Sequence, residues 1–482
     1  MKGCFVVSPL WELKEKERTV KYDVLEEGTF GGDALLNAEL VEGQGVRTHR
    51  PLVAADLPAF PENLRAVQSY GDTVFLFCQE MAGGHYETYT LKNGTLKKVS
   101  TTAATFPFNS DGSDYCNSMV ATLDEDAGID QGCGHTKLLL FPSKQVICIN
   151  STDSTVSFGA MDSDVPAFRH ATACNGRLYG SVGNKLYVSG ENGCFDWFFD
   201  ESGLLLSSAW KGGSTTVSEG GLPITALCSY KDEVLIFREN AMQTITGDGA
   251  SFAVKDLFKV GTHNSRSVKE CRGLLYFVSG NRVACYNGSS VRFLPDLPEG
   301  TVLPGAAGVF EGKYYFYAER AGRRYLYSYH PGLKGYGVLE IEKQIKEFVH
   351  CGDTLYLFSS EDPDKKYFYL FGEQRTDTLM TCRFPLFPRE PIDFFIDQIA
   401  LRAKPKERLT IDLGVEMTDS KGVTVASSYG VLIGKKGDKL FRLNRRTATG
   451  HSAEIVVRCR GDVLLEDCFV RYKEKKWRKR IF

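Results

Sequence analysis

Residues 271–290 read CRGLLYFVSGNRVACYNGSS. An aromatic residue or Cys, then any residue, then Gly or Asp, opens an apolar run; a polar turn and a second apolar run follow. The same phrase begins at Tyr70 (YGDTVFLF), Cys174 (CNGRLYGSV), Tyr230 (YKDEVLIF), Phe310 (FEGKYYFY) and Cys351 (CGDTLYLF). The last four intervals are 56, 41, 39 and 41 residues. A degraded copy, GHTKLLLFPSKQVICINSTDSTV from Gly134, fits the longer gap between Tyr70 and Cys174 and brings the units to seven. Two apolar runs separated by a short polar turn make a hairpin. Further strands fit the rest of each unit, such as ITALCS before Tyr230 and SRSVKE before Cys271.

Three or four short strands repeating about every 40 residues predict β-propeller blades, which bury their faces against one another in a ring. The competing reading is a β-sandwich with evenly spaced strands, but sandwiches do not ordinarily repeat one hairpin phrase at this interval. The expected fold is therefore all-β: a propeller of about seven blades, an extended N-terminal arm and a C-terminal antiparallel β-sandwich-like domain. Its first two units are irregular, blurred by the stretch FPFNSDGSDYCNSMVATLDEDAGIDQ.

Residues 1–60 hold no copy of the phrase and read as the arm, wrapping either the propeller or a neighbouring chain; a plain strand closing the ring is the simpler alternative. The propeller is expected over 61–387. From 388 to 482 a Pro-rich linker gives way to period-two alternation, as in RLTIDLGVEMTD, which predicts a small antiparallel domain. The chain closes on RYKEKKWRKRIF, where Lys473, Lys475, Lys476, Arg478, Lys479 and Arg480 form the one dense basic run. It reads as a solvated tail or as a contact with DNA or an acidic protein.

The 482 residues are 43% hydrophobic, 24% charged and 12% aromatic, with a formal net charge of −2. These values fit a globular chain and give no overall basic field for nucleic acid. No apolar run approaches the roughly 20 residues of a membrane helix, and MKGCFVVSPLWELKEKER does not read as a signal peptide. The 14 cysteines are scattered, with no CxxC pair, and are expected to be buried thiols.

No catalytic constellation stands out. The pairs Cys133/His135 and His170/Cys174 lack partners at zinc-ligand spacing. There is no P-loop and no GxSxG elbow. SGENGCFDW, Ser189 to Trp197, approaches a sialidase-type Asp box, but Glu191 replaces the Asp, one residue too many precedes Trp197 and no second copy exists. The aromatic and arginine mixture of KYYFYAERAGRRYLYSYH follows from the hairpin period, with Arg320, Arg323 and Arg324 at a turn. No cofactor is expected.

The run from Leu222 to Asp296 resembles β-propeller structural proteins of tailed bacteriophages and prophages. The matching residues are Ile224, Ala226, Leu227, Tyr230, Asp232, Leu235, Phe237, Arg238 and Glu239, then Gly261, Ser265 and Ser267. Gly273, Leu275, Tyr276, Phe277, Ser279, Tyr286, Asn287 and Gly288 follow. KLYVSGENGCFDWFFD and FGGDALLNAELVEGQGVRTHRPL are similar to other parts of that family. The resemblance implies a non-enzymatic virion component (tail hub, nozzle, adaptor or tail-tip ring), assembled in the host bacterial cytoplasm. Its implied partners are copies of itself in a symmetric ring, other virion proteins and DNA, without membrane insertion. A tail-borne glycan-binding or glycan-hydrolysing protein is the alternative on the same fold.

Overall fold

The recurring phrase is a two-residue hairpin. In the computed structural model its first residue pairs with the residue three later in six copies: Tyr70 with Thr73, Cys174 with Arg177, Tyr230 with Glu233, Cys271 with Leu274, Phe310 with Lys313 and Cys351 with Thr354. Such loops match the twist of the flanking strands when both central residues have positive φ. Arg272 and Gly273 lie at 51° and 74°, Glu311 and Gly312 at 49° and 69°. The Gly in the phrase is therefore a backbone requirement.

The structure describes residues 11–23, 35–57, most of 64–102, strand segments between 119 and 160 and, with breaks, 168–189, 213–217, 221–298 and 300–479. Seven four-stranded antiparallel units follow one another. Their first strands are Leu64–Tyr70, Met119–Leu123, His170–Cys174, Ala226–Tyr230, Lys269–Cys271, Ala307–Phe310 and Glu347–Cys351, named here blades 1 to 7. The phrase thus spans the end of each first strand and the start of the second. First strands approach one another between blades 2 and 3, 3 and 4, 5 and 6, and 6 and 7, and blade 7 returns to blade 1, so the chain holds a β-propeller. Two sequence assignments change. Met119–Leu123, inside the stretch that blurred the period, is the first strand of blade 2; eleven residues, not two, separate it from His135, so the phrase is lost. In SRSVKE, Ser265–Ser267 is a 3-10 turn and only Lys269–Cys271 is strand.

Alternate side chains of one strand serve opposite neighbours. In Lys313–Arg320 of blade 6, Tyr314, Phe316 and Ala318 pack with blade 5, while Tyr315 and Tyr317 pack with blade 7. Phe316 stacks on Tyr327 with centroids 5.3 Å apart and planes 8° apart. Such aromatic pairs add about 0.5–1.5 kcal/mol to the area they bury. Arg320 and Arg323 flank the Ala321–Gly322 turn.

The N-terminal segment does not form a separate arm over its described residues 35–54. Leu52–Ala54 pairs with Phe368–Phe371 as the outer strand of blade 7 and closes the ring. Ala38–Val41 and Gly45–Thr48 form a hairpin that meets blade 6 at Ala38–Val338 and the strand Val463–Lys479 at Val46–Leu465. One sheet consequently runs from blade 6 into the C-terminal domain. That domain has two sheets around a shared core containing Phe384, Ile399, Ile411, Val457 and Cys468. It begins earlier than residue 388: Leu379–Leu386 pairs along its length with Ser452–Arg460, because its apolar residues Met380, Cys382, Phe384 and Leu386 fall on one buried face. Among the described residues no helix is long and apolar enough to cross a membrane.

Candidate functional site

The basic C-terminal run is a strand rather than a solvated tail. Residues Asp467 to Lys479 pair in register with Trp11–Asp23. This pairing sets Lys473 opposite Glu17, Lys475 opposite Glu15 and Arg478 opposite Glu12, whereas Lys476 faces Lys14 and Lys479 faces Trp11. Opposed unlike charges stabilise an antiparallel pair and like charges weaken it. Arg480 lies outside the described residues. Arg18 also pairs with Glu474, whose side chain is 4% exposed. The strand Phe394–Pro405 covers the other edge only as far as Glu474. Residues 475–479 and their partners form a two-stranded ribbon, and Trp11–Asp23 has no strand on its outer edge among the described residues.

A second constellation joins the two domains. Glu39, on the connecting hairpin, accepts from Lys313 Nζ of blade 6 at 3.0 Å and from Arg375 Nη1. Arg375 also donates to the Thr48 carbonyl. All three charged residues are buried. Burial would raise the Glu39 carboxyl, but the positive charges of His49, Lys313 and Arg375 outweigh it and hold the group down to about 2. Burial pushes His49 down to about 4. Its Nδ1 donates to the Arg50 carbonyl at 2.7 Å, and its Nε2 has no hydrogen-bond partner. This arrangement is a fastening between domains.

The third constellation is a cavity of about 450 Å³ where the first strands of blades 3 to 7 begin. Segments leading into blades 3 to 7 line it, including Arg169, His170, Thr225, Arg266, Gly305 and Lys346. The motif Gly261 to Ser267 builds its rim. Asn264 caps the 3-10 turn by accepting from the Arg266 amide at 3.1 Å and donates to the Gly305 carbonyl. Ser267 Oγ donates to the Asn264 carbonyl at 2.7 Å and accepts from the Val278 amide at 3.0 Å, while Tyr314 of blade 6 donates to the Ser267 carbonyl at 2.7 Å. Thus residues that carry the family resemblance fix backbone joints between blades. Arg266 donates to the Lys346 carbonyl at 3.2 Å and lies 3.7 Å from Glu347. No acidic residue lines the cavity among the described residues. Sequence reading missed this site because its residues come in groups of two to four from segments 39 to 56 positions apart.

Among the described residues no three His, Cys, Asp or Glu converge as a metal cluster. The Asp-box-like stretch lies outside the described residues after Ser189. Nine described cysteines are free thiols, and seven of them are buried; burial pushes Cys78 and Cys459 up to about 12.

No protein-family model and no curated protein matches the chain. Among solved structures, it is similar to the extracellular domain of a putative hybrid two-component system from B. thetaiotaomicron, at 11% identity and a TM-score of 0.39. That match covers 81% of this chain and 47% of the other, so the chain spans about half its length. It is also similar to the β-propeller domain of Cps50 (Swd1) from Myceliophteria thermophila, at 7% identity and a TM-score of 0.41, over 65% of this chain and 99% of that one. The propeller assignment rests on the seven four-stranded units themselves, six of them separate sheets and blade 6 part of the sheet shared with the C-terminal domain.

Proposed function

We propose that this protein is a non-enzymatic structural component of a tailed-phage virion: a hub, nozzle, adaptor or tail-tip part that assembles into a symmetric ring and contacts other virion proteins. The observation that carries this reading is the terminal ribbon. A 13-residue edge strand, Trp11–Asp23, is held on the basic C-terminal strand, and among the described residues no strand covers its outer edge. An open edge offers a row of backbone donors and acceptors to another chain. Its dense charges, Glu12, Lys14, Glu15, Lys16, Glu17 and Arg18, disfavour indiscriminate pairing and favour a partner of matching charge order. The acids in register with Lys473, Lys475 and Arg478 offset the basic run, which favours a mixed-charge protein neighbour before DNA. The propeller, continuous with the C-terminal domain through one sheet, serves as a stiff body that sets the distance between contacts. Assembly in the host cytoplasm, followed by incorporation into the particle, completes the proposal.

Electron microscopy of the purified chain, with and without residues 1–23, tests it. Closed rings for the full chain and single discs for the shortened one are expected, with far-UV circular dichroism unchanged apart from the lost strand. Single discs for the full chain at high concentration, and no association with tail particles, would overturn the reading.

A further inference from the structure

We propose that the axial cavity binds a small polyanion, a sugar-sized molecule carrying two or more phosphate or carboxylate groups. The residue five positions before each copy of the phrase is Arg65, Arg169, Thr225, Arg266, Gly305 and Lys346 in blades 1, 3, 4, 5, 6 and 7. Lys and Arg are 58 of 482 residues, so a cation at four of these six places is well above the chain's background. Equivalent places in a repeat recur around the propeller axis. The structure bears this out for five of them, since Arg169, Thr225, Arg266, Gly305 and Lys346 all line one cavity.

The two exceptions have structural reasons. Thr225 Oγ1 donates to the Thr262 carbonyl and ties blade 4 to the segment entering blade 5. At Gly305 a Cβ would lie 2.6 Å from the Tyr317 ring, leaving no room for a side chain. Where the fold does not claim the position, a cation stands there. Among the described residues Arg169 and Lys346 have no ion pair, and no acid lines the cavity. Buried His170 also lines it, and its Nδ1 has no hydrogen-bond partner. Arg266 is paired with Glu347, so the attraction for an anion comes chiefly from Arg169 and Lys346, whose fields add within the concavity. About 450 Å³ is ample for a sugar phosphate or a tricarboxylate.

This inference is independent of ring assembly and is tested on the monomeric or assembled chain alike. Isothermal titration calorimetry with fructose 1,6-bisphosphate, citrate and uncharged fructose reads it directly. Binding of the bisphosphate or of citrate is expected, and which of the two binds tells phosphate from carboxylate; fructose should not bind. Arg169→Glu and Lys346→Glu should each weaken binding about tenfold or more, equivalent to roughly 1.4 kcal/mol, with the thermal midpoint near wild type. Lys436→Glu, at a recess in the C-terminal domain, serves as the control and should leave binding unchanged. Absence of binding by both anions at millimolar concentration, equal binding of fructose, or equal losses in the control would overturn the proposal.

Discussion

Glu39 sits among two buried cations, and removing its charge would leave them without a counter-charge. Glu39→Gln is expected to destabilise the protein by about 3–5 kcal/mol, as for a buried ion pair broken on one side, read as a fall in the urea midpoint. The same cluster makes the fold acid-sensitive. The unfolded chain takes up protons on His49 and His170 near 6.5, whereas burial holds both down to about 4 in the folded state. Glu39 similarly protonates near 4.5 when unfolded and at about 2 when folded. In each case the unfolded state binds more protons, so stability is full above pH 6.5 and declines as pH falls through 4 and then 2. Urea midpoints should be flat from pH 7 to 8 and drop below 6.5. His49→Gln combined with His170→Gln should flatten the segment between 6.5 and 4; an unchanged slope would show that other groups control it.

Ring closure is an element-scale property concentrated in three residues. Leu52–Ala54 supplies the last strand of blade 7. Val53 lies opposite Leu370, between flanking ladder bonds made by Ala55 N–H to Phe368 and by Gly372 N–H to the Pro51 carbonyl. Its side chain is 40% exposed, so its contribution is chiefly through the backbone. Val53→Pro should remove a ladder donor and cost about 1–3 kcal/mol, with faster hydrogen exchange in Phe368–Phe371, while Val53→Thr should be near neutral. The ease with which such elements were read from sequence differed for a physical reason. The phrase at Cys271 or Phe310 was legible because a two-residue turn demands positive φ, which restricts its residues. Leu52–Ala54 was not, because a three-residue strand whose partner, Phe368–Phe371, lies about 320 positions away leaves no local period. The axial site was half legible: its cations stand at a fixed offset from the phrase, but only the ring brings them together.

At the scale of the whole molecule, the sheet passing from blade 6 through Ala38–Val41 and Gly45–Thr48 into Val463–Lys479 couples propeller and C-terminal domain. The Glu39 cluster fastens the same junction from blade 6 and from the segment that leaves blade 7. Domains joined by a loose linker unfold separately, whereas a shared sheet and a shared buried charge cluster make opening one domain costly to the other. Calorimetry of the full chain should therefore show one endotherm with matching calorimetric and van't Hoff enthalpies. Glu39→Gln should split it, because the backbone pairing at Ala38–Val338 is a single contact in register and Glu39 is the counter-charge to Lys313 of blade 6 and to Arg375. The component seen by the buried thiols Cys382, Cys459 and Cys468 belongs to the C-terminal core, so their labelling by a thiol reagent during heating identifies which transition is which. Two endotherms in the unaltered protein would mean that the continuous sheet does not transmit unfolding. The stiff-spacer role would then have to rest on the propeller alone.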